Sequence, residues 1–524
     1  MKRLRFSPNT IKMKKLLLIA ITGFFIGSCG VKKPAPQQTI TGKESITLKF
    51  VQINDVYEIA PLNGGEYGGL ERVGYIRDSI KQKFPNTYLF LAGDFLNPSL
   101  LGTLKVDGER LNGKQMVDVL NALDLDLVTF GNHEFDLKEK DLQKRLNESN
   151  FKWTSANVRH VTKSGTIPFE VDKNGKLTPV SDYESFTAIG PNNEKLKFGV
   201  FGVTLPSNPQ DYVYYGDIYD DAKRAYNLAG ENNEFVVGLT HVALEEDMDI
   251  AKRIPSLRLI MGGHEHNNML EKQGSTIIAK ADANAKSLYV HTLIYNPKNK
   301  NLTLNSELVM VTDKTPSSPK VARVVEKWTA LMDSKLKEFI DNPDEVIYQA
   351  SVPLDGTDDA SRSKQTNLGE IIARSLAYAY GDRAQAGVVN GGSIRIDDKL
   401  SGDITSTDIF RILPFGGSSL LVDIKGDLLK KVLDYGMGQS GTGAYLQRYN
   451  ISKDAAGAWQ IGSDAIVDQK TYSIAFSDFL LKGLDIPFLT PDNPGIVKVQ
   501  YAKEGENAAD IRKAIISYLN SLKQ

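Results

Sequence analysis

Residues 125–136 read LDLVTFGNHEFD, an apolar run of strand length that breaks at Gly131 and delivers Asn132, His133 and Asp136 just past its end. The same design recurs four times along the chain. Residues 48–53 run into Asn54 and Asp55, and residues 88–91 into Gly93 and Asp94. Residues 235–239 run into Thr240 and His241, and residues 257–261 into Gly262, Gly263, His264, Glu265 and His266. Between these runs apolar residues fall at helical spacing, as at Leu70, Val73, Ile80 and Phe84, or Met116, Val119, Leu120 and Leu123. Strand and helix therefore alternate, which predicts an α/β fold.

In α/β sheets ligands gather outside the carboxyl ends of the strands, so the five polar tips are expected to converge on one point. They carry carboxylates, an amide and imidazoles, a donor set that suits manganese, zinc or iron rather than copper or an iron–sulfur centre. Four of the six histidines sit on these tips, a concentration that scattered structural histidines do not produce. The number of donors is enough for two adjacent divalent ions.

Composition narrows the field further. A chain of 524 residues, 41% hydrophobic and 24% charged, is long and apolar enough for two large domains or three smaller ones. Its net charge of −1 supplies no field to gather a polyanion, so nucleic-acid binding is not expected. Cys29 is the sole cysteine, which excludes an intrachain disulfide and a thiolate metal cluster.

The five motifs Asn54–Asp55, Gly93–Asp94, Gly131–Asn132–His133–Glu134, Thr240–His241 and Gly263–His264–Glu265–His266 resemble those of the metallophosphoesterase superfamily. The GNHEFD run is the most specific and points to its 5′-nucleotidase family. The resemblance implies an α/β metallophosphoesterase-type αββα sandwich over residues 46–314, a linker helix over 315–340 and an α+β 5′-nucleotidase-type substrate-binding domain over 341–524. Carried over position by position, it makes Asp94 the bridge between two divalent metal ions (Mn, Zn or Fe). Asp55 and His266 would complete the first site, and Asn132, His241 and His264 the second. His133 with Asp136 would form a dyad that steadies the phosphoryl oxygens and the leaving group. The chemistry is general, since two cations about 3.5–4 Å apart can activate a water and neutralise phosphoryl charge in one in-line displacement.

One position departs from the family pattern. Asp, any residue, His is usual in the first motif, but here it reads Asp55–Val56–Tyr57. Tyr57 is thus a further candidate ligand that binds as a phenolate only if an ion drives its deprotonation. The first site is expected to favour a harder ion such as manganese or iron, or to fill only with substrate.

The second half carries three islands, each ordinary turn chemistry when taken alone. Arg362 lies in a basic loop that opens a helix, and Asn390–Gly391–Gly392–Ser393–Ile394–Arg395 brings paired glycines to a strand end. The third joins Phe415 with Phe479 and Asp485. The resemblance implies that Arg362 and Arg395 address phosphate or ribose, Asn390 the base, Phe415 and Phe479 its faces, and Asp485 the ribose hydroxyls.

The first thirty residues read as an export signal: Lys12, Lys14 and Lys15 precede an apolar run over 16–26 that is too short to span a membrane. The run ends Gly27–Ser28–Cys29, which resembles a bacterial lipoprotein box with Cys29 as the lipidated residue, followed by a tether over 30–45. The expectation is an exported protein, lipid-anchored in the cell envelope, that removes the 5′-phosphate from nucleotides. Nucleoside monophosphates, UDP-sugars and nucleoside di- or triphosphates are the expected substrates. The alternatives are a 2′,3′-cyclic nucleotide phosphodiesterase with 3′-nucleotidase activity, or a surface nucleotide-binding protein whose catalysis Tyr57 has weakened.

Overall fold

The computed structural model describes residues 45–207 and 209–523. The signal segment, Cys29 and all but the last residue of the tether lie outside them. Two six-stranded sheets build the N-terminal half. In the first, Ile46–Ile53 pairs in parallel with Thr87–Leu91, which pairs with Leu127–Thr129 and then Lys152–Thr154. Its other edge is the antiparallel pair Ser287–Asn296 and Asn301–Met310. In the second sheet Lys195–Thr204, Phe235–His241, Leu259–Gly262 and Thr276–Lys280 run parallel, with antiparallel strands at both edges.

Alternation along Ile46–Ile53 explains how the layers assemble. Leu48 and Phe50 point inward to a core shared with Leu127, Phe198, Val200 and Leu239 of the two sheets, whereas Val51 and Ile53 point outward. Both faces carry core residues, which is why the strand is mostly apolar rather than strictly alternating. Phe50 anchors the inner layer, its ring 5.1 Å from Phe90 and 5.0 Å from Phe198. Helices Leu70–Lys83 and Lys114–Ala122 cover the first sheet, and Ile218–Gly230 and Leu244–Arg253 the second, giving an αββα sandwich.

The segment 315–340, read from the sequence as a linker helix, contains the helix Pro319–Leu336. Val321, Val325 and Trp328 pack into the first domain's outer core, while Leu336 at its end meets Leu100 and Phe410. The C-terminal half is a five-stranded sheet in the order Leu446–Tyr449, Ala386–Asn390, Thr471–Ser477, Ser419–Lys425, Ile496–Gln500. Asn367–Tyr378 and Ile511–Ser521 pack on one face and Gly426–Gly438 on the other.

His291 lies in the interior, away from the strand tips. Its Nε2 is 2.9 Å from Gln52 Oε1 and its Nδ1 2.8 Å from Ser306 Oγ, and burial pushes its pKa down from 6.5 to about 3. The unfolded chain therefore takes up a proton below pH 6.5 that the folded chain refuses. Stability is expected to fall as the pH drops from 6.5 towards 3, by up to about 1.4 kcal/mol per pH unit from this group alone. Chemical denaturation of His291→Gln across that window should show a pH slope smaller by about one proton.

Candidate metal centre and adjoining cleft

The tips of the parallel strands from both sheets meet at one end of the sandwich. Asp55 follows Ile46–Ile53, Asp94 follows Thr87–Leu91, and His241 is the last residue of Phe235–His241. Their donor atoms all lie within 4.8 Å of one another, and all three residues are buried. His241 Nε2 is 3.2 Å from Asp94 Oδ2, 3.2 Å from Asn132 Oδ1 and 3.9 Å from Asp55 Oδ1. Its Nδ1 is 2.7 Å from the Ala92 carbonyl, so Nε2 is the atom turned to the cluster. The His264 ring lies 5.5 Å from that of His241, and its backbone N–H donates to Asp55 Oδ2 at 3.0 Å. His266 Nε2 lies 3.3 Å from Asp55 Oδ1.

Backbone strain is concentrated here. Asp55, Asp94 and His264 have φ of 52°, 56° and 85°, in the left-handed region that side chains rarely occupy. Close approach explains the glycines beside them, since a Cβ on Gly131 would stand 2.0 Å from Asp94 Oδ1. Gly131→Ala is therefore expected to displace the Asp94 loop and to destabilise the fold by about 1–3 kcal/mol. A thermal melt and a metal titration of that variant would register both effects.

Glu134 holds the two loops together. Its carboxylate accepts the N–H groups of Asp94, Phe95, Leu96 and Gly131 at 2.6–3.0 Å. Burial, helped by the Asp94 charge, pushes Glu134 up to about 7 against the Phe95, Leu96 and Gly131 donors. This anchoring role was not read from the sequence, where Glu134 is only one letter of a motif.

The donors fit a divalent cation. Asp55 Oδ1 is buried and, among the described residues, faces two imidazole nitrogens, His266 Nε2 at 3.3 Å and His241 Nε2 at 3.9 Å, in place of an aligned hydrogen-bond donor, a setting that suits a shared cation. The Asp94 and Asp55 carboxylates outweigh burial and push His241 up to about 9, so the site stabilises positive charge, which a metal would supply in place of the proton. His264 goes the other way: burial and the neighbouring His241 push it down to about 4, leaving a neutral ring with a lone pair. Burial alone would raise Asp94, but His241 and His133 hold it below the usual carboxylate range.

Tyr57 is buried beside these groups, its hydroxyl donating to Asp94 Oδ2 at 3.1 Å and lying 3.3 Å from His266 Nε2. Burial and the nearby Asp94 and Asp55 carboxylates push the phenol well above its ordinary value. In the protein's own field it is a neutral donor to Asp94.

His133 stands at the edge of the cluster, its N–H donating to Asp94 Oδ1 at 2.8 Å and its Nδ1 2.8 Å from Asp136 Oδ2. Asn97 donates to the same Asp136 oxygen at 2.8 Å, a support that the sequence did not reveal. Burial opposes the charge on His133, but Asp94 and Asp136 prevail and push it up to about 9.

A cavity of about 1460 Å³ adjoins the cluster. Asp94, Asn132, His133, Asp136, His264 and His266 line it from the N-terminal half. Arg362, Asn390, Arg395, Phe415, Phe479 and Asp485 line it from the C-terminal half, so all six residues singled out there share one space with the strand tips. Asn390 is buried with both ends of its amide engaged: Nδ2 donates to Asp485 Oδ2 at 2.9 Å, and Oδ1 accepts from Ser393 Oγ at 2.6 Å. The Arg395 guanidinium lies 5.6 Å over the Phe415 ring, and Arg362 pairs with Asp358. Each arginine keeps a buried Nε without a hydrogen-bond partner among the described residues.

The model of the calcineurin-like phosphoesterase family matches residues 48–268, and that of the 5′-nucleotidase C-terminal domain matches 346–490. The 5′-nucleotidase of Vibrio cholerae is 25% identical over 94% of this chain and 95% of its own length. The trifunctional nucleotide phosphoesterase protein YfkN of Bacillus subtilis is 26% identical over 71% of this chain, which spans only 27% of that longer protein. Among solved structures, the 5′-nucleotidase precursor of Thermus thermophilus has the same fold, with a TM-score of 0.69, 22% identity and coverage of 91% of this chain and 97% of its own.

Proposed function

The chain belongs to the 5′-nucleotidase family of metallophosphoesterases, and from that premise we propose that it hydrolyses the 5′-phosphate of nucleotides. One observation carries the reading. The cavity has convergent carboxylates and imidazoles on one wall and cationic and aromatic groups on the other, the two requirements of a phosphate ester attached to a flat base. Asp55, Asp94 and His266 would hold one divalent ion, and Asp94, Asn132, His241 and His264 a second. Bound there, such ions would supply an activated water and charge neutralisation at phosphorus.

The remaining work falls to side chains. Asp136 fixes the His133 tautomer through Nδ1 and leaves Nε2 to donate to a phosphoryl or leaving-group oxygen. Arg362 and Arg395 offer guanidinium N–H groups to phosphate or ribose oxygens. Phe415 and Phe479 offer ring faces to the base. Asp485 orients the Asn390 amide and faces the same cavity as a ribose-hydroxyl acceptor.

Tyr57 favours the weakened binding-protein reading, since it removes an imidazole from the first site. The intact His133–Asp136 pair favours turnover. Phosphate release should be measured with Mn²⁺, Zn²⁺ or Fe²⁺ on nucleoside 5′-monophosphates, UDP-glucose, nucleoside triphosphates and 2′,3′-cyclic nucleotides. Metal-dependent release from a 5′-ester supports the proposal. Release from the cyclic esters alone supports the phosphodiesterase, and nucleotide binding without release supports the binding protein. Export and lipidation at Cys29 belong to the proposal on the strength of residues 12–29, and labelling of Cys29→Ala with radioactive palmitate in cells checks them.

A further inference from the structure

We propose that Asp397, from the C-terminal half, is a positioning residue for the first metal site and acts through His266; this rests on the metal reading above. Asp397 Oδ2 lies 2.5 Å from His266 Nδ1. Its other oxygen, Oδ1, accepts the backbone N–H of Asp358 at 2.7 Å, which holds the carboxylate beside that nitrogen. The residue adopts φ of 42°, a conformation that its surroundings must hold in place. Two further ion pairs join the halves on either side, Lys286 with Asp398 at 2.7 Å and Glu58 with Arg411 at 3.4 Å.

The arrangement leaves His266 Nε2 as the nitrogen that faces Asp55 Oδ1 and the Tyr57 hydroxyl, each 3.3 Å away. A carboxylate on the far nitrogen of a metal-binding imidazole fixes its tautomer and orientation and makes the near nitrogen a better donor. That support matters more here than in a site with two imidazoles. Position 57 is a tyrosine, so His266 is the one imidazole among the expected first-site ligands. The donor supplied by the N-terminal half is thus completed by a carboxylate from the C-terminal half, and the first site is fully formed only when the two halves are in contact.

Calorimetric titration of Mn²⁺ into metal-stripped full-length protein tests the proposal, using the wild type, Asp397→Ala, Asp397→Asn and Asp94→Asn. The wild type should show two classes of site. Asp397→Ala should weaken one class about 10- to 100-fold and leave the other unchanged, and Asp397→Asn, which keeps an acceptor oxygen, should recover part of the loss. Unchanged affinity in Asp397→Ala, or equal weakening of both classes, would overturn the proposal. The Asp94→Asn titration separates the two levels. Full Mn²⁺ binding by that variant counts against the metal reading itself, whereas its loss alongside unchanged binding in Asp397→Ala counts against this inference alone.

Discussion

Replacing Asp94 by asparagine is expected to lower kcat for phosphate release by about 10²–10³-fold, the scale on which loss of a single electrostatic stabiliser slows catalysis. Asp94 is buried at the meeting point of the two proposed ion sites. Its Oδ2 is 3.2 Å from His241 and 3.1 Å from the Tyr57 hydroxyl, and its Oδ1 accepts the His133 N–H at 2.8 Å. Asparagine keeps the size and one acceptor oxygen but removes the charge that two cations would share. The fold should persist, because Glu134 anchors the loop through backbone N–H groups that the substitution leaves alone. Steady-state kinetics with metal content measured on the same sample would check this. Wild-type turnover in Asp94→Asn would exclude Asp94 from the reaction.

His133→Ala should lower kcat by about 10²–10⁴-fold while metal binding survives. The imidazole borders the cluster without being one of the proposed ligands, and Asp136 on Nδ1 leaves Nε2 to serve the reacting oxygens. Asp136→Asn should cost less, because the amide oxygen can still accept from Nδ1. A split between kcat and metal affinity distinguishes this role from that of Asp94. Equal losses of both in His133→Ala would make it a structural support of the metal loops instead.

The architecture of the first domain was legible because its central strands are buried on both faces. Runs such as residues 48–53 and 235–239 are mostly apolar and of strand length, and each leads into a residue unsuited to a core. That mismatch between an apolar run and its polar tip located the site. Periodicity could not say which surface a helix covers, so Pro319–Leu336 was legible as a helix but not as part of the first domain's outer layer.

Residues that act through other residues were the least legible. Glu134 binds backbone N–H groups of a loop forty residues away, and no side-chain pattern encodes that contact. Asp397 meets His266 only because two halves of the chain fold against each other, and its neighbours in sequence resemble any polar turn. Tyr57 was visible as a departure from the expected motif, but the sequence alone could not reveal that burial and the surrounding carboxylates push its phenol well above the ordinary value.

Anomalous diffraction from crystals of the protein soaked in Mn²⁺ would locate the ions themselves. The expected result is two peaks about 3.5–4 Å apart, one touching Asp55, Asp94 and His266, the other Asp94, Asn132, His241 and His264. The absence of any peak touching Asp94 at saturating Mn²⁺ would contradict a metal-dependent phosphohydrolase built on these strand tips.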